Sequence, residues 1–349
     1  MTGPNPGGAR KRPKGLIGVG WACLQSAALG RTEHAPPAAD YPDDVVRRIQ
    51  FAAGAGLGWK LTAIATPRAK PAPWKIVVVT GAPSWAEYWA PVLAALPQDR
   101  EMVVVDRPGF GGSEPPVWIG DIRLQALALE PLLEAAPGQK VLLVGQSYGA
   151  AIATLMAAAN PRKVGGLVLL SAYLGEFGPT ASWLVKLGGR LRHVIPRDLR
   201  HAVLEVSEQA AQLPHVREAL ARVKAPLHVI HGDKDDFAPI EIAERLVAEM
   251  QLRVTRFARL EGGDHFLNDG PAEQLLEQIE ACIPSPPKPV FTGLTLSWPR
   301  LEWLKRGRKP STANTDQAAS LTSILPELAP LKSPIKASGA ASSPSTMVS

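Results

Sequence analysis

The sequence predicts an α/β protein: a doubly wound, mostly parallel sheet carrying a small helical cap insertion and flanked by disordered termini. Three observations predict it. Runs at 75–81 (KIVVVTG), 101–106, 140–145, 166–172 and 226–232 are continuously apolar, as strands buried on both faces must be. Segments of helical spacing at 85–96, 122–135, 150–159 and 240–250 alternate with them. The alternation breaks once, at 173–224, a stretch too long for one crossover.

Taken in order, residues 1–14 are rich in Gly, Pro, Arg and Lys and are expected to be disordered. Residues 16–29 form a modest apolar run behind Arg10, Lys11, Arg12 and Lys14. That pattern is one of a signal or anchor, but the run is poor in Leu and Trp21 spoils a lipid-attachment reading of Cys23. The expectation is a cytoplasmic protein, with export or anchoring through 10–29 as the alternative. Residues 34–44 lack periodicity and are expected to link this segment (1–40) to the body, which begins near Tyr41. The alternating run 59–66 is expected as the first clear strand, 254–260 as the last, and 271–282 as the closing helix. The body divides into a first core part (41–172), the cap (173–224, helices over 181–194, 197–211 and 215–223) and a second core part (225–284). The tail 285–349 is Pro/Ser-rich and too poor in apolar residues to offset chain entropy.

Charge and cysteine content exclude several classes. The chain of 349 residues carries a formal +6, but residues 1–40 hold +3 of it and 285–349 hold +5, leaving −2 for the body. A slightly acidic body is not a nucleic-acid binder. Contact with a membrane surface is expected, if anywhere, from the N-terminal segment or from LSWPRLEW (296–303) and the basic residues that follow it. Two cysteines, Cys23 and Cys282, give neither a disulfide framework nor a cysteine-paired zinc site.

The chemistry is carried by Gly145-Gln146-Ser147-Tyr148-Gly149, placed directly between an apolar strand and a helical run. A serine on such a turn is held out at the carboxyl edge of the sheet, and the Tyr148 N–H at the following helix start favours an oxyanion. A serine hydroxyl needs a base. Of seven histidines, His265 stands in a glycine-flanked loop (Gly262-Gly263-Asp264-His265) after the last strand, free to be aimed. The base needs an orienting carboxylate. Residues 231–239 supply Asp233, Asp235 and Asp236, which periodicity alone does not separate.

With these blocks, together with Thr80-Gly81-Ala82-Pro83 and Asp106-Arg107-Pro108-Gly109-Phe110-Gly111-Gly112-Ser113, residues 59–283 resemble the α/β-hydrolase superfamily. The resemblance implies Ser147 as nucleophile, His265 as base and, from the family's Gly-x-x-Asp pattern, Asp235 as the acid. It implies Ala82 N–H as the second oxyanion donor beside Tyr148, and no metal or organic cofactor. The chain departs from the family where Thr80 stands in place of a usual histidine, which puts the shape of that loop in question. Asp106 and Arg107 are expected to tie their loop down rather than react.

The expected reaction is acyl transfer from a small-molecule ester, lactone or thioester, with an apolar acyl group suggested by candidate wall residues Trp85, Tyr173, Phe177, Trp183, Phe237 and Phe266. A serine, rather than an aspartate, at the elbow argues against dehalogenase and epoxide-hydrolase chemistry. Carbon–carbon bond hydrolysis or cofactor-free perhydrolysis uses the same residues and is the alternative. A non-catalytic binding module on the same fold is the alternative of another class, but it has no need of all three of Ser147, Asp235 and His265.

Overall fold

A computed structural model describes residues 41–284. The expectations for 1–40, including the 10–29 segment, and for the tail 285–349 lie outside the described residues. Among the described residues eight strands form one sheet: β1 (Arg47–Ala52), β2 (Lys60–Ala65), β3 (Trp74–Val79), β4 (Arg100–Val105), β5 (Lys140–Gln146), β6 (Val164–Leu170), β7 (Leu227–Gly232) and β8 (Val254–Leu260). Their order is β1-β2-β4-β3-β5-β6-β7-β8. β1 pairs antiparallel with β2 and β2 antiparallel with β4; every later pairing is parallel.

The α-helices that connect and cover these strands are α1 (Ala90–Ala94), α2 (Ile122–Leu129), α3 (Gly149–Ala159), α4 (Pro179–Arg190), α5 (Arg197–Arg222), α6 (Ile240–Glu249) and α7 (Ala272–Glu280). The period-2 geometry of a strand divides an unbroken apolar run between two faces. Val77 and Val79 of β3 pack with Leu143, Ile152 and Leu129 on one side. Ile76 and Val78 pack with Leu142, Leu93 and Ile279 on the other. Neither layer of helices can be stripped away without exposing half of every central strand.

The sheet departs from the sequence reading at its first edge. RRIQFA forms β1, which no expectation covered, because only Ile49 and Phe51 turn inward while Arg47, Arg48 and Gln50 stay exposed. The helix expected over 122–135 ends as α at Leu129 and continues as a 3-10 turn through Pro131.

The insertion differs more instructively. The sequence pattern predicts a helix break at 211–215, but α5 runs unbroken through Pro214. Proline removes one intrahelical hydrogen bond and crowds the preceding turn. Here a single stripe of inward residues spans it: Glu205 and Gln209 are buried before the proline, and Val216, Ala219 and Leu220 after it. Between them Gln212 bonds both to the Ile122 N–H (3.0 Å) and to the Gly120 carbonyl (2.7 Å). Tertiary anchoring on both sides outweighs the local break. No helix among the described residues is long and apolar enough to cross a membrane.

Candidate active site

β5 ends and α3 begins within three residues, and Ser147 occupies the turn with φ +50°. A non-glycine residue in that region is strained and is held only by its surroundings. Ser147 N–H donates to the Leu170 carbonyl (2.9 Å), and its own carbonyl accepts from Ala150 and Tyr173 N–H groups. The turn closes because its glycines have no side chain. A Cβ on Gly149 would lie 2.2 Å from the Val79 carbonyl oxygen, and one on Gly145 would lie 2.6 Å from the Ala150 Cα.

The structure brings three separated residues into one line. His265 Nε2 lies 2.9 Å from Ser147 Oγ, and His265 Nδ1 lies 2.8 Å from Asp235 Oδ2. An ionised carboxylate only accepts hydrogen bonds, so Nδ1 carries the proton and Nε2 is left to accept from the serine hydroxyl. Of the three candidate carboxylates only Asp235 makes this contact. Asp233 accepts from the Gly262 N–H (2.7 Å), which braces the histidine loop, and Asp236 bonds Thr180.

Asp235 is tightly furnished. Its Oδ1 accepts from the Phe237 N–H (3.0 Å) and the Ala238 N–H (2.8 Å). A second histidine also faces it: His231 Nε2 lies 3.1 Å from Oδ2 and 2.7 Å from the Ala238 carbonyl. A carbonyl can only accept, so His231 Nε2 carries a proton and presents it to both oxygens. Burial alone would raise the Asp235 pKa, but hydrogen bonds from His231, His265 and the Ala238 N–H hold it far below the usual carboxylate range. The role of His231 is one that sequence reasoning missed. Its signal is the i, i+4 spacing to Asp235 across the strand-end turn.

The loop after β3 approaches from the other side. A Cβ on Gly81 would come within 2.9 Å of the Ser147 Cβ. Thr80, in the place of the family's usual histidine, turns its hydroxyl inward to Ser84 Oγ and to the Val105 carbonyl (3.0 Å). Arg107 then clamps the loop: Nε donates to the Thr80 carbonyl (2.9 Å) and Nη2 to the Gly81 carbonyl (2.7 Å). Among the described residues neither the Ala82 nor the Tyr148 N–H donates to a carbonyl or side chain. Asp106 is buried and accepts from the Ala86 N–H (2.8 Å) and the Thr62 hydroxyl (2.9 Å). Burial pushes its pKa up.

Arg107 is itself held by the insertion. Its guanidinium makes two bonds to Glu205 of α5 (2.6 and 2.7 Å) and one to Gln125 (2.7 Å), with Arg107 and Glu205 side chains wholly buried. The guanidinium also lies 4.9 Å from both the Tyr148 and Phe110 ring centres. One face of α5 grips the same loop at each turn. Asp198 accepts from the Gly111 N–H (3.1 Å) and the Trp85 indole (2.9 Å), Arg197 donates to the Gly111 carbonyl (2.7 Å), and His201 Nδ1 bonds the Gly109 carbonyl (2.8 Å). Residues at i, i+3, i+4 and i+7/i+8 share a helix face, which is why 197/198, 201 and 205 act together.

The candidate wall residues divide. Phe237 stacks on His265 (centres 5.2 Å, planes 14°) and Phe266 meets both edge-on. Trp85 is buried and tied to Asp198. Tyr173 is buried against Phe177 and bonds the Val206 carbonyl (3.1 Å), so its hydroxyl is engaged within the fold. Trp183 is a correction: it is 58% exposed and walls nothing. The inward position on α4 is Ala181, and two residues further on lies about 200° around the helix. A further buried relay, Trp89 to Gln146 (3.0 Å) to Asn268 (2.6 Å), joins the elbow to the histidine loop. Among the described residues no group of three or more His, Cys, Asp or Glu side chains is placed to hold a metal ion.

Comparison with known proteins agrees with this fold. A family model described as alpha/beta hydrolase fold matches residues 75–194. A 2-hydroxy-6-oxononadienedioate/2-hydroxy-6-oxononatrienedioate hydrolase of Paraburkholderia xenovorans is 27% identical over 209 residues, covering 49% of this chain and 72% of the relative. Among solved structures, a 2-hydroxy-6-oxo-6-phenylhexa-2,4-dienoate hydrolase from Rhodococcus sp. strain RHA1 superposes with a TM-score of 0.53 at 16% identity, over 68% of this chain and 98% of that one. A thermophilic esterase from Thermogutta terrifontis does so with a TM-score of 0.51 at 18% identity, over 67% and 96%.

Proposed function

We propose that this chain, a hydrolase with an α/β-hydrolase fold, cleaves an ester-type bond (carboxylic ester, lactone or thioester) through a Ser147–His265–Asp235 triad. The observation that carries the reading is the unbroken line from Ser147 Oγ to His265 Nε2 (2.9 Å) and from His265 Nδ1 to Asp235 Oδ2 (2.8 Å). His265 takes the hydroxyl proton as Ser147 Oγ attacks the carbonyl carbon. The Ala82 and Tyr148 N–H groups receive the oxyanion, each such donor being worth about 10²–10³ in kcat. The tetrahedral intermediate collapses, His265 protonates the departing alcohol or thiol, and the acyl group stays on Ser147. Water, deprotonated by His265, then releases the acid. Asp235 stays ionised throughout and stabilises the imidazolium.

Carbon–carbon bond hydrolysis is the second reading, favoured by the name of the Paraburkholderia relative. A dioate substrate brings two carboxylates that need cationic partners. The buried guanidinium nearest the elbow, Arg107, is already engaged by Glu205, and the rings packed on His265 are apolar. These features favour the ester reading and an apolar acyl group.

The test is a fluorophosphonate label read by intact mass on wild type, Ser147→Ala and His265→Ala, followed by turnover of short p-nitrophenyl esters and of a 2-hydroxy-6-oxodienoate. One adduct on wild type, none on Ser147→Ala and a slow one on His265→Ala are expected, with the ester as the better substrate. A folded wild type that takes no label returns the binding-module reading. Preference for the dienoate selects the second reading.

A further inference from the structure

We propose that α4 and the turn after it form a docking surface for an anionic phospholipid membrane, and that the acyl substrate is an amphiphile drawn from that surface. The docking stands without the hydrolase reading; the substrate class rests on it.

α4 has two unlike faces. Inward, Ala181 is buried, and Gly188 allows close approach to α5, since a Cβ there would lie 2.4 Å from a Val203 methyl. Outward, at i, i+3 and i+7, stand Trp183, Lys186 and Arg190, all three exposed. The following turn adds Leu191 (42% exposed), Arg192 and Val194 (78%). Five large apolar side chains are conspicuously exposed among the described residues, and three of them lie in these twelve positions. No Asp or Glu occurs between Glu176 and Asp198. Lys186, Arg190 and Arg192 have no carboxylate partner among the described residues; Arg192 bonds only its neighbour His193. The body around them is net acidic, so the positive charge here is a local feature.

An aromatic and two aliphatic side chains interleaved with cations is the composition of a helix that lies in a lipid headgroup layer. Charge complementarity then fixes the lipid as anionic. A second copy of the chain is a poorer occupant, because pairing this face with itself opposes like charges. The patch is also rooted at the active site. The Gly178 N–H, just before α4, donates to the Phe237 carbonyl (2.9 Å), and Phe237 is the ring stacked on His265.

The full-length protein is sedimented with phosphatidylcholine vesicles, with and without phosphatidylglycerol, beside two variants: Trp183→Ser/Val194→Ser and Lys186→Glu/Arg190→Glu/Arg192→Glu. Each basic side chain near an anionic surface strengthens binding ~5-fold, so charge reversal is expected to weaken binding about 100-fold or more, and the apolar pair about 10-fold. Binding of wild type should require phosphatidylglycerol and weaken with salt. Circular dichroism and turnover of a short soluble ester should match wild type in both variants, since the changed side chains lie on the solvent side of the helix. Several outcomes overturn the docking: no binding of wild type, binding equally strong in both variants, or self-association of wild type that the variants abolish. Docking with no turnover of any ester, even by wild type, leaves the surface standing and removes the hydrolase reading. Docking with turnover confined to water-soluble esters removes only the substrate class.

Discussion

Replacing Glu205 with Gln keeps the shape of the side chain and removes the charge that faces Arg107. Both partners are fully buried and share two bonds of 2.6 and 2.7 Å. Removing one member of such a pair costs about 3–5 kcal/mol because the other charge stays buried. Arg107 would keep its bonds to Thr80, Gly81 and Gln125, and the new amide would keep one acceptor, so the lower end, about 3 kcal/mol, is expected. For a body of this size that lowers Tm by roughly 6–12 °C. The guanidinium also holds the carbonyls of Thr80 and Gly81, next to the N–H of Ala82. A shifted donor should lower kcat for a short ester about 10-fold or more with little change in KM. Urea unfolding gives the first number and steady-state kinetics the second. A loss under about 1 kcal/mol would refute the reasoning about the pair. Lost stability with unchanged kcat would refute the transmission to the loop that carries the Ala82 N–H. The double replacement Arg107→Met/Glu205→Leu separates the two effects, since apolar replacement of both partners is often neutral for stability.

Asp235→Asn should leave the fold intact and lower kcat by about 10⁴, since the amide cannot hold the histidine tautomer as the carboxylate does; an effect below about 10-fold in ester kinetics would remove Asp235 from the triad. His231→Gln, which keeps a donor, is expected to retain more activity than His231→Leu; equal kinetics for the two would deny His231 any part in holding Asp235. Gly149→Ala places a methyl 2.2 Å from the Val79 carbonyl oxygen and should cost about 3 kcal/mol or more, with little soluble folded protein on expression. Burial lowers the pKa of both His201 and His228. A lowered histidine pKa means the unfolded chain binds more protons, so their contribution is full above about pH 6.5 and is lost as pH falls below it. Urea midpoints should therefore drop on acidification from neutrality, and His201→Gln should flatten that drop; an unaltered slope would show that His201 stays neutral for no cost.

The central strands were legible because burial on both faces forces unbroken apolar runs, and the elbow because glycine is the residue that fits beside Val79 and Ala150. β1 was not, because an edge strand with two inward residues has too little pattern to stand out from a linker. Pro214 marked a local weakness correctly but gave no sign of the packing stripe that carries α5 through it. The choice among Asp233, Asp235 and Asp236 needed the family pattern, since all three share one turn and differ only in where the backbone aims them. Glu205, Asp198 and His201 were invisible as a group. Their common partner, the 106–113 loop, lies about ninety residues away, and nothing local announces such a pairing.

That separation has a consequence during synthesis. Arg107 leaves the ribosome 98 residues before Glu205. At elongation rates of about 5–20 residues per second, the interval is roughly 5–20 s. Before it ends the strands through β6 have all been made, yet until Glu205 arrives the guanidinium has no counter-charge and must keep its water. The nascent sheet therefore stays open at the place where the elbow and the loop after β3 meet, until the insertion arrives to seal it. The buried Arg107 charge can therefore dry only once α5 has been made, so the insertion completes the core rather than merely covering it.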